Sequence, residues 1–179
     1  KKILFTKLIS STVLEKELGN DVEVVCKPTL NIELTKKNEI LEQIDFPKRS
    51  FYAPRNRYRA DSIIKNLSTI TEKGFIKVGL TDKDISVSKG KIADFGVMGL
   101  GYRPGKACVA SSFRLNPKKK DAQFYKIVIH EIGHTQGLPH CPNKTCFMRD
   151  ADGANHTDDL TDFCDPCKAF LKQKKWKFS

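Results

Sequence analysis

The stretch VIHEIGHTQGLPHCPNKTCFMRD, residues 128–150, concentrates metal-binding side chains, with three of the chain's four histidines and two of its six cysteines. It contains the motif H-E-x-x-H, in which His130 and His134 are four residues apart. On a helix, such a pair lies one turn apart on the same face, so both imidazoles can bind one ion. Glu131 lies beside them, where it can reach a water on that ion without binding the ion itself.

The residues around this motif predict a helix over about residues 117–136. Asn116 is a suitable N-cap, and Pro117 suits the first helical position. Gly137 allows the left-handed turn that ends a helix, after which the chain can bring back His140 as a third ligand. Three nitrogens leave the fourth position of a zinc ion open for water, which is typical of a catalytic site. The alternative is a helix whose histidines are satisfied at the surface.

Four cysteines follow in the pattern C-x4-C, seventeen residues, C-x2-C: Cys141, Cys146, Cys164 and Cys167. Two pairs with such a spacer can bind one tetrahedral zinc ion through four thiolates. Two disulfides or four unrelated thiols are the alternatives, which a cytosolic location disfavours because thiols stay reduced there. We therefore predict a closed, structural zinc site over residues 141–167. Cys26 and Cys108 fall in predicted strands and are interpreted as buried apolar side chains.

Upstream of the motif, the hydrophobic periodicity alternates between strands and helices, which indicates an α/β domain. Strands are predicted at residues 3–10, 22–30, 75–82, 92–100 and 106–115. Helices are predicted around residues 12–19 and over residues 59–74, each ending at a glycine, and a polar link is predicted at residues 31–50. Since no second domain boundary is seen, residues 1–179 are predicted to form one compact domain.

The chain is basic, with a formal net charge of +11 from 32 Lys and Arg against 21 Asp and Glu. Residues 47–60 carry five of these cations, no acid and three aromatic side chains, a composition that can suit a nucleic-acid surface. Charge runs more often form solvated faces, which is the interpretation for residues 117–120 and for the lysine-rich residues 168–179. His156 is interpreted as an exposed loop residue. We see no signal peptide or membrane-spanning stretch, and we expect a cytoplasmic monomer.

The run HEIGHTQGLPHC, the CFM after it and the later CDPC resemble the motif of the archaemetzincin family of the metzincin metallopeptidases. That motif covers residues 130–167, and a weaker resemblance in strand order extends over about residues 60–175. The resemblance implies a metzincin-like fold with a mixed twisted sheet and flanking helices. It implies catalytic zinc ligands at His130, His134 and His140. It also implies that Glu131 is the general base, that Met148 forms a Met-turn beneath the metal, and that the four cysteines bind a second, structural zinc ion.

Two features depart from the family's pattern. Fifteen residues separate Met148 from Cys164, slightly fewer than in that pattern. Some other metzincins place a tyrosine two residues after the methionine, where it helps to stabilise the oxyanion. This chain has Asp150 there, so that Tyr102 or Tyr125 takes this part or no residue does.

These residues together predict a zinc-dependent metallopeptidase with two zinc ions per chain. Zinc lowers the pKa of its bound water to about 7, so that Glu131 can take the proton while the hydroxide attacks a peptide carbonyl. The alternative is a metzincin-fold binding module of little or no activity, whose basic surface engages nucleic acid or acidic partners. The sequence leaves open whether cleavage is internal or confined to an amino terminus.

A peptide substrate is expected to dock on a strand edge left unpaired beside the cleft, where main-chain hydrogen bonds can hold it. We assign this edge to FGVMGL, whose glycines let another backbone approach closely. The predicted substrate-edge residues are Phe95, Gly96, Val97, Met98, Gly99 and Leu100.

Overall fold

The computed structural model describes residues 2–9, 42–71 and 73–178. The described strands are β1 (Lys2–Ile9), β2 (Glu42–Asp45), β3 (Phe51–Tyr52), β4 (Arg57–Arg59), β5 (Phe75–Thr81), β6 (Ile85–Lys89), β7 (Ile92–Val97), β8 (Gly99–Gly101) and β9 (Ala107–Ser111). The described helices are α1 (Ala60–Thr69), α2 (Lys120–Gln136) and α3 (Asp165–Gln173). The predicted helix around residues 12–19, the predicted strand 22–30 with Cys26, and most of the polar link lie outside the described residues.

Within the described residues, the strands form two mixed sheets. The first has the order β2-β1-β5-β9-β8, in which all neighbours are parallel except β8 and β9. The second has the order β3-β4-β6-β7, with a parallel pair in the centre and antiparallel pairs outside. The predicted mixed α/β architecture is confirmed. That residues 1–179 are a single domain stays a prediction.

The observed strands differ from the predicted ones in three details. The predicted strand 92–100 is two strands, β7 and β8, which belong to different sheets. The chain changes sheets at Met98, whose carbonyl accepts a hydrogen bond of 2.8 Å from the Ser111 N–H. Strand β6 lies between two predicted strands and was not itself predicted, because its two serines and its lysine dilute the hydrophobic pattern. Strand β9 ends at Ser111 rather than at residue 115. The chain turns after Ser111, and the Ser111 hydroxyl accepts a hydrogen bond from the Phe113 N–H.

Strand β9 lies in the centre of the fold, and all five of its residues are buried. Cys108 and Ala110 pack towards the residues of α2, whereas Ala107 and Val109 pack towards α1. The two faces of one strand therefore serve two apolar clusters, as the two-residue period of a strand requires. The burial predicted for Cys108 is confirmed.

Helix α2 is buried on a second side by the C-terminal segment. Ile129 belongs to an apolar cluster with residues after position 137, among them Phe147, Met148, Phe163 and Leu171. The rings of Trp176 and Phe178 pack edge-on against Phe163, with centroids 6.5 and 6.2 Å away. The lysine-rich end of the chain is therefore not only a solvated face, because its apolar side chains cover this cluster. Packing on both sides fixes the position of the histidines on α2.

The ends of α2 agree with the prediction. A single 3-10 turn, Pro117–Lys119, precedes the helix, and Asn116 Oδ1 accepts the Lys118 N–H at 2.9 Å. Gly137 ends the helix with a φ of 108°, a left-handed conformation that favours glycine. None of the helices in the described part of the chain is long and apolar enough to cross a membrane.

Candidate metal centre and active-site cleft

The three predicted histidine ligands lie together at the C-terminal end of α2. One ligand atom of each of His130, His134 and His140 lies within 4.8 Å of the others. His130 and His134 come from successive turns of the helix, and the turn at Gly137 brings His140 back beside them. Their ring centroids are 4.6 to 5.3 Å apart. The arrangement leaves room for one ion between three imidazoles.

Backbone carbonyls fix the tautomers of the two helical histidines. His130 Nδ1 lies 2.7 Å from the Phe147 carbonyl oxygen, and His134 Nδ1 lies 2.8 Å from the Leu138 carbonyl oxygen. A carbonyl oxygen can only accept, so each Nδ1 carries the proton and donates it. Each Nε2 therefore keeps a free lone pair, which is the state of an imidazole that binds a metal ion.

Asp150 gives the third histidine the same support. His140 Nδ1 lies 2.9 Å from Asp150 Oδ2, and Asp150 Oδ1 accepts the Asp152 N–H at 3.0 Å. That backbone hydrogen bond, together with the charge of His140, lowers the pKa of Asp150. Asp150, which stands where some other metzincins have a tyrosine, thus orients His140 through its carboxylate. Sequence spacing alone did not reveal this part.

Burial keeps the helical histidines neutral. It lowers the pKa of His130 to about 3, and the charge of His134 contributes. Burial also lowers the pKa of His134, against the effect of its hydrogen bond to Leu138, and the charges of His140 and Arg103 lower it further. Neutral imidazole is the form that binds metal, so both side chains suit a metal ion at neutral pH.

The Glu131 carboxyl lies beside this group and is only 6% exposed. A β-carbon on Gly99 would lie 2.5 Å from its Oε1, and one on Gly101 would lie 3.3 Å from its Oε2. Burial raises the pKa of Glu131 from 4.5 to about 8. A carboxyl group with such a pKa can exchange a proton near neutral pH, as a general acid or base must.

A cleft of about 690 Å³ opens at these side chains. All six predicted substrate-edge residues, 95–100, line it, and so do residues 149–157 and the three histidines. Within the described residues, β7 and β8 are the end strands of their sheets, so both present a strand edge. The glycines of this edge also make room for neighbouring side chains. Gly96 accommodates the Arg114 guanidinium, and Gly99 accommodates the Glu131 carboxyl group. Docking of a peptide there stays a prediction.

Met148 lies beneath α2, where a Met-turn was predicted. Its side chain is fully buried, and its sulfur lies against Gly133. The Met148 carbonyl accepts the Cys141 N–H at 2.7 Å. The turn is thereby joined to the segment that follows His140.

The four predicted cysteine ligands also lie together, with all four sulfurs within 4.8 Å of one another. The Sγ atoms of Cys141 and Cys164 are 3.5 Å apart, and those of Cys146 and Cys167 are 3.7 Å apart. A tetrahedral zinc ion with Zn–S bonds of about 2.3 Å separates its sulfurs by roughly 3.8 Å, whereas a disulfide would bring them to about 2.0 Å. Cys146 Sγ also accepts the N–H groups of Met148 and Cys164, both at 3.4 Å. The geometry suits one closed metal site rather than two disulfides.

The tyrosines considered for the oxyanion differ in position. Tyr125 packs in the apolar cluster, with its ring centroid 6.4 Å from that of Phe147. Tyr102 is exposed. The next residue, Arg103, does line the cleft, but it stands in a turn with no periodicity or spacing to single it out. His156 also lines the cleft, although it stands apart from the three-histidine group.

The sequence matches Peptidase family M54 over residues 52–173. An archaemetzincin of Methanocaldococcus jannaschii is 33% identical over 147 residues, which cover 76% of this chain and 78% of that protein. An archaemetzincin of Haloquadratum walsbyi is 35% identical over 119 residues, which cover 60% of this chain and 66% of that protein.

Solved structures show the same likeness. The crystal structure of an archaemetzincin from Archaeoglobus fulgidus, complexed with malonate, is 25% identical and has a TM-score of 0.67, covering 94% of this chain and 99% of that chain. An archaemetzincin from Methanopyrus kandleri shows the same fold at 20% identity, with a TM-score of 0.72 over 97% of this chain and 96% of that chain. The chain therefore belongs to peptidase family M54, the archaemetzincin family of zinc metallopeptidases.

Proposed function

We propose that this chain hydrolyses peptide bonds at the three-histidine site, with Glu131 as the general base. The observation that carries the proposal is the convergence of three imidazoles, each with its Nδ1 hydrogen-bonded and its Nε2 free, beside a buried carboxyl group. Nitrogen donors in this number suit zinc and leave a coordination position for water or substrate.

Zinc held by the three histidines would supply Lewis-acid activation of a water molecule and of the substrate carbonyl. Glu131 then accepts the proton of the attacking water and passes it to the departing amine. The carboxyl group can do this because Gly99 and Gly101, which lack β-carbons, leave it space at the cleft. In the metal-free site its pKa is about 8, and a nearby dication favours the ionised form that serves as a base.

The substrate we propose is an extended peptide that adds a strand to the edge formed by residues 95–100. The support for this docking site is that β7 and β8 are the end strands at the cleft among the strands that the structure describes. An edge strand offers unpaired N–H and C=O groups to a peptide backbone, which gives affinity without dictating sequence.

For the four cysteines we propose a second, structural zinc ion. Four sulfurs close the coordination sphere, so this site would stabilise the fold and take no part in hydrolysis. Cys141 follows His140 directly, and Phe147, whose carbonyl holds His130, follows Cys146. The metal would thereby hold two parts of the catalytic site in place.

Two of the five cations of residues 47–60, Arg57 and Arg59, are engaged by acidic side chains, which reduces the charge available to the alternative, a nucleic-acid-binding module. Arg57 forms ion pairs of 3.1 Å with both Asp84 and Asp94, and Arg59 lies 3.9 Å from Asp94. The Tyr58 ring stacks on another aromatic ring with 3.8 Å between centroids. Arg57 and Arg59 are therefore less available to phosphate, which binds cations that face the solvent, whereas Lys48, Arg49 and Arg55 of the same segment are exposed.

The proposal is tested by measuring zinc content and cleavage of a mixed peptide library on the same preparations of the parent and two variants. Glu131→Gln should keep its zinc and lose at least about 10²-fold in turnover, since general base catalysis contributes about 10²- to 10⁴-fold. His134→Ala should lose both metal and activity. His156→Ala, a histidine outside the three-histidine group, is the control and should keep its zinc. Cleavage by Glu131→Gln at the parental rate would refute the proposed part of Glu131.

A further inference from the structure

Arg103 is an exposed residue that lines the active-site cleft, on the loop directly after β8. This loop is fixed to α2, because the Gly105 N–H donates a hydrogen bond of 3.0 Å to the carbonyl of Thr135, a fully buried residue next to His134. The backbone beside Arg103 is therefore tied to the helix that carries His130 and His134. Its charge also reaches His134.

The other two cleft arginines are held by acidic side chains. Arg114 donates to both carboxylate oxygens of Asp84, from Nε at 2.8 Å and from Nη2 at 2.9 Å. Arg149 Nη1 lies 3.0 Å from Asp159 Oδ2. Within the part of the chain that the structure describes, no acidic side chain pairs with Arg103. It is thus the cleft guanidinium still free to bind an anion.

The other charged side chains of the cleft also favour an anionic ligand. Lys89 contributes a second cation, and its Nζ lies over the Phe95 ring, 4.8 Å from the centroid. Asp150 already accepts the hydrogen bond from His140. Asp152 also lines the cleft and is exposed, so a ligand entering the cleft meets two available cations, Arg103 and Lys89, against this carboxylate.

We propose that Arg103 binds a carboxylate of the substrate, from an aspartate or glutamate side chain near the scissile bond, and so makes acidic peptides the preferred substrates of this cleft. The inference rests on the proposed peptidase function. A peptide laid along β8 continues past this loop, where a guanidinium can receive a carboxylate through two parallel hydrogen bonds. Lysine at this position would offer only a point charge.

The test uses peptides built on a sequence that the zinc-loaded parent cleaves, with Glu, Gln or Lys placed in turn at each of three positions on either side of the cleaved bond. At one position, Glu should raise kcat/KM about tenfold or more over Gln, and Lys should lower it further. Arg103→Gln should abolish the ratio of Glu to Gln at that position, whereas Arg103→Lys should retain part of it.

Lys106→Gln is the matched control, since it removes one positive charge from the same exposed loop at a residue that does not line the cleft. It should leave the ratio unchanged. An equal loss of the Glu-to-Gln ratio in Lys106→Gln and Arg103→Gln would overturn the proposal, because the preference would then come from the overall charge. A parent that shows no Glu preference at any position would overturn it as well.

A binding experiment separates this inference from the peptidase proposal. Labelled Glu and Gln peptides are titrated against zinc-loaded Glu131→Gln, with and without Arg103→Gln, and followed by fluorescence anisotropy. If the Glu peptide binds about tenfold more tightly than the Gln peptide, and Arg103→Gln removes this difference, the proposal for Arg103 is supported. This holds even if the parent cleaves nothing, because then only the proposed hydrolysis fails. Equal affinities for the two peptides refute the part assigned to Arg103 whatever the activity of the parent.

Discussion

The sulfur of Met148 occupies the space beside Gly133 that a β-carbon on that glycine would need. Gly133 stands between His130 and His134 in the chain, so the methionine supports the helix directly beneath its ligand-bearing turn. The contact explains a glycine inside a helix, where this residue otherwise costs about 1 kcal/mol relative to alanine.

Gly133→Ala should therefore lower stability despite the better helix propensity of alanine. Overpacking a buried contact costs about 1–3 kcal/mol, which corresponds to a loss of several degrees in Tm for a chain of this size. The zinc affinity of the histidine site should fall too, because the helix must shift. Thermal melts of Gly133→Ala, Met148→Ala and the double variant give the coupling between the two positions. Strictly additive changes in stability would show that the contact does not matter.

The sequence predicted which histidines lie together better than it predicted the residues that orient them. The four-residue spacing places His130 and His134 on one face by helix geometry alone, and Gly137 indicates the turn that brings His140 back beside them. Asp150 and Arg103 could not be found in this way, because their parts depend on which distant segments meet at the cleft. The division of residues 92–100 between two sheets is likewise decided by pairing with β6 and β9, which no local pattern records.

Asp150→Asn should weaken zinc binding at the histidine site by about 10- to 100-fold, the usual effect of removing a group that orients a metal ligand. An amide can turn its NH2 group towards His140, and it lacks the charge that favours the ligating tautomer. Competition with a chromogenic chelator measures the affinity. Asp152→Asn is the matched control, since its side chain is exposed and its φ of 46° is one that asparagine tolerates. Similar zinc affinities of Asp150→Asn and Asp152→Asn would show that Asp150 does not support zinc binding.

Cys164→Ser should remove one zinc ion per chain and lower Tm by at least about 5 °C, because a structural zinc site contributes directly to folding. Elemental analysis and calorimetry on one preparation test both effects. Cys108→Ala, which changes a buried cysteine outside the four-sulfur site, should keep the parental zinc content. An unchanged metal content in Cys164→Ser would argue against the four-cysteine site.

The metal-free protein should lose stability as the pH rises from about 6.5 to about 8. Burial raises the pKa of Glu131 from 4.5 to about 8, so the native state holds a proton that the unfolded chain has already released. The stabilising contribution is complete below about 4.5 and is lost as the pH rises to about 8, with a slope of about 1.4 kcal/mol per pH unit. Urea unfolding of chelator-treated parent and Glu131→Gln measures it, and the variant should lack this slope.

The comparison with Glu131→Gln is needed because the titration of His130 changes stability with pH in the opposite direction. Burial lowers its pKa from 6.5 to about 3, so its contribution to stability is present above about 6.5 and is lost as the pH falls. This effect is common to parent and variant. Parallel pH profiles of the two proteins would mean that Glu131 is not held protonated in the metal-free fold.

The backbone shared by the four-cysteine group and the three-histidine group has a consequence for how the protein would respond to zinc supply. Cys141 adjoins His140, and Cys146 adjoins Phe147, whose carbonyl holds His130. An ion among the sulfurs would order both neighbours before the histidines receive theirs, and reciprocity requires that each ion raise the affinity for the other by the same factor. Loading would then be cooperative. At limiting zinc, fewer chains would carry a single ion than if two sites of the same affinities were independent.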